Sequence, residues 1–263
     1  MSDHKEEEKF APSNLLEGMV SIRALFDGID AKINDRRPIE VWFASDRVHQ
    51  KNGELRYLKA RSYDLGYALR VVDPQQIEEA TVGNSHGGII AFCSGRTLPP
   101  VPENLPPQGF YVYLDGIEDP YNFGYALRSL YAAGADGILL PERNWMGAAG
   151  VVCRASAGAS ERFSLFCGDP QEMVKHFRNA GYQIVCADIK KSVSAYDADL
   201  KKPILLIVGG EKRGISRAIL NLAHQIVRID YGRDFQAALS AAAAAAILGF
   251  EVYRQNRSNK TGT

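Results

Sequence analysis

The sequence predicts an α/β protein in two parts, a small α/β sandwich followed by a larger, mostly parallel sheet with helices on both faces. Two observations carry this expectation. Short apolar runs bounded by glycine alternate with helical patterns, the arrangement of parallel strands buried on both faces. Five of the twelve prolines fall between Pro99 and Pro107, where fixed φ angles and missing amide donors make an extended, semi-rigid linker. The 263 residues therefore divide into parts of about 95 and 155, in keeping with roughly 150 residues per domain.

Before the linker the pattern predicts a helix over 15–26, a strand over 39–44, a helix over 54–65 and a strand over 69–72. Asp73 and Pro74 then form an N-cap with proline at the first helical position, opening a short helix to Ala80. A strand over 88–93 closes this part. After the linker come a strand over 110–114, a helix over 122–133, strands over 137–140 and 162–166, and a helix over 170–180. Strands over 183–187 and 203–208 follow, then a short helix from Ser216, a strand over 225–229, and a final helix from Asp234 to Gln255. The expected organisation is a charged tail over 1–13, a first domain over 14–96, the linker over 97–108, a second domain over 109–256 and a tail over 257–263.

Lys plus Arg and Asp plus Glu number 31 each, so the formal charge is zero, which excludes a histone-like polycation but not a local basic site. The zero conceals a shift: 12 basic and 15 acidic residues precede Arg96, and 19 and 16 follow from it onward. With 46% hydrophobic and 24% charged residues the chain can bury a sizeable core. The longest apolar stretch, 237–250, is broken by Ser240 and Gly249 and falls short of the roughly 18 residues of a membrane span. The first residues carry Glu6, Glu7 and Glu8 and no apolar leader, so the expected location is the cytoplasm. Cys93, Cys153, Cys167 and Cys186 form no CxxC pair, which predicts reduced, mostly buried thiols and no metal site.

Four segments of the second part join a polar or glycine turn to a strand or helix end, where open α/β sheets bind ligands. In Asp119-Pro120-Tyr121-Asn122, Asn122 is a candidate N-cap, with Arg128 six residues further along the helix. Arg154-Ala155-Ser156-Ala157-Gly158-Ala159 is a run of small residues that admits close approach. Strand 203–208 runs into Gly209-Gly210-Glu211-Lys212-Arg213-Gly214-Ile215-Ser216. This loop has the glycine spacing of a Walker A motif, but Ile215 stands where the phosphate-binding Lys is required, which excludes triphosphate hydrolysis. Glu211 occupies the second glycine position of a GxGxxG pattern and would face a pyrophosphate with like charge, which disfavours a nicotinamide-type oxidoreductase. The fourth segment is the alanine-rich terminal helix, whose alanines also suit close helix packing.

In this order the segments resemble the SpoU (TrmH) family of RNA 2′-O-ribose methyltransferases, of the SPOUT superfamily. Asn122, Gly124 and Arg128 match its first motif, Ser156 to Ala159 its SAGA segment, Gly209, Glu211 and Gly214 its GxExxG motif, and Ile229 with the helix ending at Glu251 its third. Ser85-His86-Gly87-Gly88-Ile89 is similar to the end of the L30e-like substrate-binding domain often attached to these enzymes, with His86 assigned to structure. Two positions depart from the family pattern: Ser240 stands where an Asn is usual, and Ala242 where a Ser is usual.

The resemblance implies an L30e-like domain followed by a SPOUT domain with a C-terminal trefoil knot, a homodimer with its active site near the interface, and S-adenosylmethionine as the methyl donor. It implies methylation of a ribose 2′-hydroxyl without metal, in ribosomal RNA; the alternatives are transfer RNA as substrate or a catalytically impaired RNA-binding relative. It places Asn122, Arg128 and Glu211 in catalysis, and Gly209, Gly210, Ile229, Leu239 and Ser240 at the cofactor. Arg154, Lys212 and Arg213 are expected on RNA phosphates. An arginine stays protonated at neutral pH, so Arg128 is expected to hold the hydroxyl and a neighbouring phosphate and to stabilise developing charge rather than act as a base. Asn122 is expected to position Arg128 or the ribose, and Glu211 to orient Asn122, Arg128 or its own loop.

Overall fold

A computed structural model describes residues 14–81, 85–117 and 119–257. The two terminal tails expected from the sequence, apart from Arg257, lie outside the described residues. The chain forms two compact units, one of Met1–Thr97 with Trp145–Arg162 and one of Leu98–Asn144 with Phe163–Thr263.

The first unit holds β1 (Leu15–Glu17), α1 (Gly18–Asp30), β2 (Pro38–Ala44), α2 (Asn52–Leu65), β3 (Ala68–Val72), α3 (Pro74–Ala80) and β4 (Ile89–Cys93). Its sheet has the order β1-β4-β2-β3, parallel only between β2 and β3. Ile22, Leu25 and Phe26 recur at helical spacing on α1 and pack with Val41 and Phe43 of β2 in one core. The helix expected from residue 15 begins at Gly18, and Leu15–Glu17 pair with β4 instead. Gly18 is the reason: at φ +79 it turns the chain out of the strand in a conformation costly for any other residue. Asp73 caps α3 as the sequence predicts, within a capping box completed by Gln76.

Two helices not expected from the sequence, α5 (Ala149–Ala155) and α6 (Ala159–Arg162), also belong to this unit. Ala149 and Cys153 enter the same core as Phe26 and Val41. Because Arg162 ends α6, the strand expected from that residue starts at Ser164. A buried polar cluster fixes the segment. Glu161 is fully buried, and its Oε2 accepts from Arg36 Nε at 3.2 Å and from Asn34 Nδ2. Arg36, 1% exposed, also donates to Asn14 Oδ1 at 3.0 Å and to the Ser94 carbonyl at 2.8 Å.

The second unit is a seven-stranded, wholly parallel sheet built from β5 (Phe110–Asp115), β6 (Gly137–Leu140), β7 (Ser164–Cys167), β8 (Gln183–Ala187), β9 (Val193–Ser194), β10 (Ile204–Gly209) and β11 (Gln225–Arg228). The order is β7-β6-β5-β10-β8-β11-β9. The central pair, β5 and β10, runs in register from Phe110 opposite Ile204 to Asp115 opposite Gly209 and is almost wholly buried. Helices α4 (Pro120–Ala132), α7 (Pro170–Asn179), α8 (Arg217–Leu220) and α9 (Ala241–Asn256) complete the unit. The final helix starts later than the sequence pattern indicates, at Ala241, because Ser240 caps it and residues 234–239 form a loop.

Among the described residues no helix is long and apolar enough to cross a membrane. All four cysteines are free; Cys93, Cys153 and Cys186 are buried, and desolvation pushes their thiols up to about 12. Because the thiolate is the reactive form, a thiol reagent at pH 8 is expected to label only the half-buried Cys167 in the native protein, faster as pH rises. Rapid labelling of a second cysteine before denaturant is added would contradict this burial.

Candidate active site

Parallel strands end on one edge, so the loops after β5, β8, β10 and β11 gather there, beside the point where successive strands change direction across the sheet. The loop after β10 is closed by glycine contacts. The Gly210 amide donates to the Asp115 carbonyl at 2.7 Å and the Gly214 amide to the Gly210 carbonyl at 2.9 Å. A Cβ on Gly209 would stand 2.5 Å from the Gly214 carbonyl carbon, and one on Gly210 would run into the Gly116 carbonyl oxygen. These glycines let three backbone segments touch.

Glu211 extends from this loop to the last helix: its Oε1 accepts from the Ala241 amide at 2.8 Å. Ser240 Oγ accepts from the Ala243 amide at 3.2 Å, so two first-turn amides of α9 have side-chain acceptors. Of the partners expected for Glu211, Asn122 and Arg128 share no hydrogen bond with it among the described residues; the contact it makes is to the last helix. Glu211→Ala is expected to lower stability by about 1–2 kcal/mol, and Glu211→Gln, which keeps an acceptor, by less. Equal urea midpoints for Glu211→Ala and wild type would refute the capping role.

Ile229 ends the strand side of the 229–240 loop and Leu239 its helix side. Tyr231 braces the loop, accepting from the Leu239 amide at 3.2 Å and donating to the Ala237 carbonyl at 3.4 Å. The main-chain amides of residues 232–238 donate no hydrogen bond among the described residues, leaving a stretch of backbone open to a ligand. Neither pattern nor spacing marked Tyr231, whose contacts depend on the path of the loop.

Asp119, not Asn122, caps α4; its Oδ2 accepts from the Asn122 amide at 2.7 Å. Asn122 is thereby a half-buried residue of the first helical turn. The sequence signal was present in Asp119-Pro120, the same Asp-Pro pair that opens α3 and α7. Arg128 lies eight residues beyond Pro120, about 12 Å down the helix, exposed and without an ion pair among the described residues. Tyr121 and Tyr125, 37% and 48% exposed, share its helical stripe.

Lys212 and Arg213 are exposed on the β10 loop. Arg154 lies in the other unit, where it donates to Glu17 Oε2 at 2.9 Å and Ser85 Oγ at 3.1 Å, so its charge is already engaged. The adjoining Ser156 to Ala159 turn is structural: Gly158 takes φ +85, and a Cβ there would collide with that of Ala24. His86 likewise serves a turn, its Nδ1 accepting from the Gly88 amide at 3.1 Å. No group of three or more His, Cys, Asp or Glu among the described residues is arranged to hold a metal ion.

The profile of the SpoU rRNA Methylase family matches residues 109–250. The 23S rRNA (guanosine-2'-O-)-methyltransferase RlmB of Shewanella oneidensis is 28% identical over 254 residues, which cover 93% of this chain and 98% of that protein. The crystal structure of an rRNA methyltransferase from Sinorhizobium meliloti superposes with a TM-score of 0.76 at 23% identity, over 98% of this chain and 92% of the other. The SpoU methyltransferase AviRb from Streptomyces viridochromogenes, in complex with AdoMet, gives 0.73 at 22% identity, over 92% and 91%. At such identities these two structures establish the fold. The family profile spans more than half of the sequence and contains Asn122, Arg128, Glu211 and the β11–α9 loop, and the chain belongs to the SpoU rRNA Methylase family.

Proposed function

We propose that this protein transfers a methyl group from S-adenosylmethionine to a ribose 2′-hydroxyl of ribosomal RNA. The observation that carries the reading is the family match over 109–250, joined to a likeness to the Shewanella enzyme along almost the whole of both chains. The donor fits the residues present: the loop between Ile229 and Leu239 offers unpaired amides, and Gly209 and Gly210 bring backbone without side chains to the same edge. When bound, S-adenosylmethionine supplies a methyl group made electrophilic by its sulfonium.

The protein's part is alignment and charge. Arg128 holds the ribose hydroxyl and an adjacent phosphate, and its fixed charge stabilises the oxygen as its proton leaves. Asn122 on the first turn of α4 positions the ribose, while Glu211 keeps the start of α9 against the glycine loop. Ser240 caps α9 as an Asn at that position would, so its replacement of the family's usual residue retains a structural role. This favours an active enzyme over an impaired RNA-binding relative.

The surface of α9 and α4 also favours a homodimer. α9 buries Ala241, Ala245 and Leu248, yet its opposite stripe of Ala243, Ile247 and Phe250 is apolar too; a helix apolar on both faces over its first ten residues calls for cover on both sides there. Phe250 is 46% exposed, and Tyr121 and Tyr125 beside Arg128 add to the uncovered surface of this unit. A second copy on these helices would place the active site near the interface. We read the first unit as the L30e-like RNA-binding part, the chain path around β10 and α9 as the family's trefoil knot, and the location as cytoplasmic.

Incubation of the purified protein with unmodified 23S rRNA transcript and tritiated methyl donor is expected to place label in alkali-resistant dinucleotides, the signature of 2′-O-methylation. Label in transfer RNA alone would move the substrate, and no label in either RNA would sink the proposal.

A further inference from the structure

The sheet order sets the end of β8 between those of β10 and β11, so the 188–192 loop lies next to the 210–216 loop on the edge that holds the proposed site. Lys190, Lys191 and Arg213 stand exposed along these loops and Arg217 at the start of α8, with no ion pair among the described residues. Asp188 Oδ1 accepts from the Lys190 amide at 2.9 Å, and Glu211 Oε1 from that of Ala241 at 2.8 Å. These two carboxylates stand against four exposed cations, so the local excess of charge is positive.

The 188–196 segment is held in place by local bonds. Ser192 Oγ donates to the Ile189 carbonyl at 2.7 Å, Arg228 Nη1 to the Ser192 carbonyl at 2.7 Å, and the Tyr196 amide to Ser194 Oγ at 3.2 Å. Asp230 is paired with Arg228 at 2.8 Å. On this frame Ile189 is 74%, Val193 44% and Tyr196 54% exposed. Two exposed cations and, five residues on, an exposed aromatic on one fixed segment supply what single-stranded nucleic acid requires, charge for the backbone and a flat face for a base. The exposed Asp197 that follows ends the cationic stretch.

We propose that residues 188–196 form an RNA-contact platform, with Lys190 and Lys191 on phosphates and Tyr196 stacked on an unpaired base. The proposal rests on the methyltransferase reading above and extends its substrate surface to a loop outside the family motifs. Three full-length variants test it: Lys190→Glu with Lys191→Glu, Lys190→Arg with Lys191→Arg, and Tyr196→Ala. Binding of 23S rRNA transcript is measured against salt concentration, and donor affinity by calorimetry reports that the fold is intact.

The glutamate pair is expected to weaken RNA binding at least about tenfold and to lower the slope of log affinity against log salt by about 1.4–1.8, as loss of two phosphate contacts requires. The arginine pair is expected to restore both. Tyr196→Ala is expected to weaken binding with the slope unchanged. Wild-type affinity and slope in the glutamate pair, with donor binding retained, would overturn the platform alone; failure of the wild type to bind RNA would overturn the functional reading and the platform with it.

Discussion

Arg128→Ala is expected to lower the rate of methyl transfer by about 10²–10³-fold, the cost of removing one preorganised group that meets developing charge. Donor affinity should change little, because the residues assigned to the cofactor lie on the β10 and β11 loops whereas Arg128, on α4, is assigned to the ribose and phosphate. The loss should fall more on kcat than on RNA affinity, where only one phosphate contact is removed, since the contact to the hydroxyl strengthens as its proton leaves. Arg128→Lys should recover little of it, because a point charge cannot hold the hydroxyl and a phosphate in one plane as a guanidinium does. Single-turnover kinetics with saturating donor, set beside calorimetry, separates these effects. Equal loss of donor binding would reassign Arg128 to the cofactor.

The largest effect on stability is expected from Glu161→Ala. Arg36 is 1% exposed and Glu161 is the carboxylate it meets, at 3.2 Å. Removing that carboxylate leaves a guanidinium buried without countercharge and strips Asn34 of an acceptor, a change worth about 3–5 kcal/mol. Glu161→Gln should be less severe, since it keeps an oxygen for Asn34. The first unit's transition in urea should move to lower concentration while the second unit's stays. A shift equivalent to less than about 1 kcal/mol in Glu161→Ala would mean that the pair does not hold the segment. Replacing Arg36 and Glu161 together by apolar residues of similar size is the informative control, because buried pairs are often dispensable as pairs though not singly.

Much of the fold was legible because its signals are local. The apolar runs of β5, β8 and β10 read as buried parallel strands, and Asp73-Pro74 announces a helix by capping chemistry confined to a few residues. The same pair at Asp119-Pro120 outranks Asn122, because a side chain before the proline reaches first-turn amides that one inside the turn does not. What the sequence pattern missed depends on distant partners. Helices α5 and α6 are short and made largely of small residues, with little periodicity, and Glu161 finds Arg36 125 positions away. Arg154 looked like a free cation for the same reason, since Glu17 lies 137 positions back. Family motifs identified the residues of the glycine loop and of α9, but not the hydrogen bond that joins Glu211 to Ala241.

The return of Trp145–Arg162 to the first unit means that the backbone passes from one unit to the other three times, after Thr97, after Asn144 and after Arg162. The two units are thus not separable cassettes. A protease nick in the proline-rich stretch severs one covalent tether and leaves two, and a gene fusion that exchanges only the first 97 residues takes Phe26 and Val41 away from Ala149 and Cys153. An exchange of the first unit therefore has to carry residues 145–162 along with the first 97, although they are encoded between the two parts of the second.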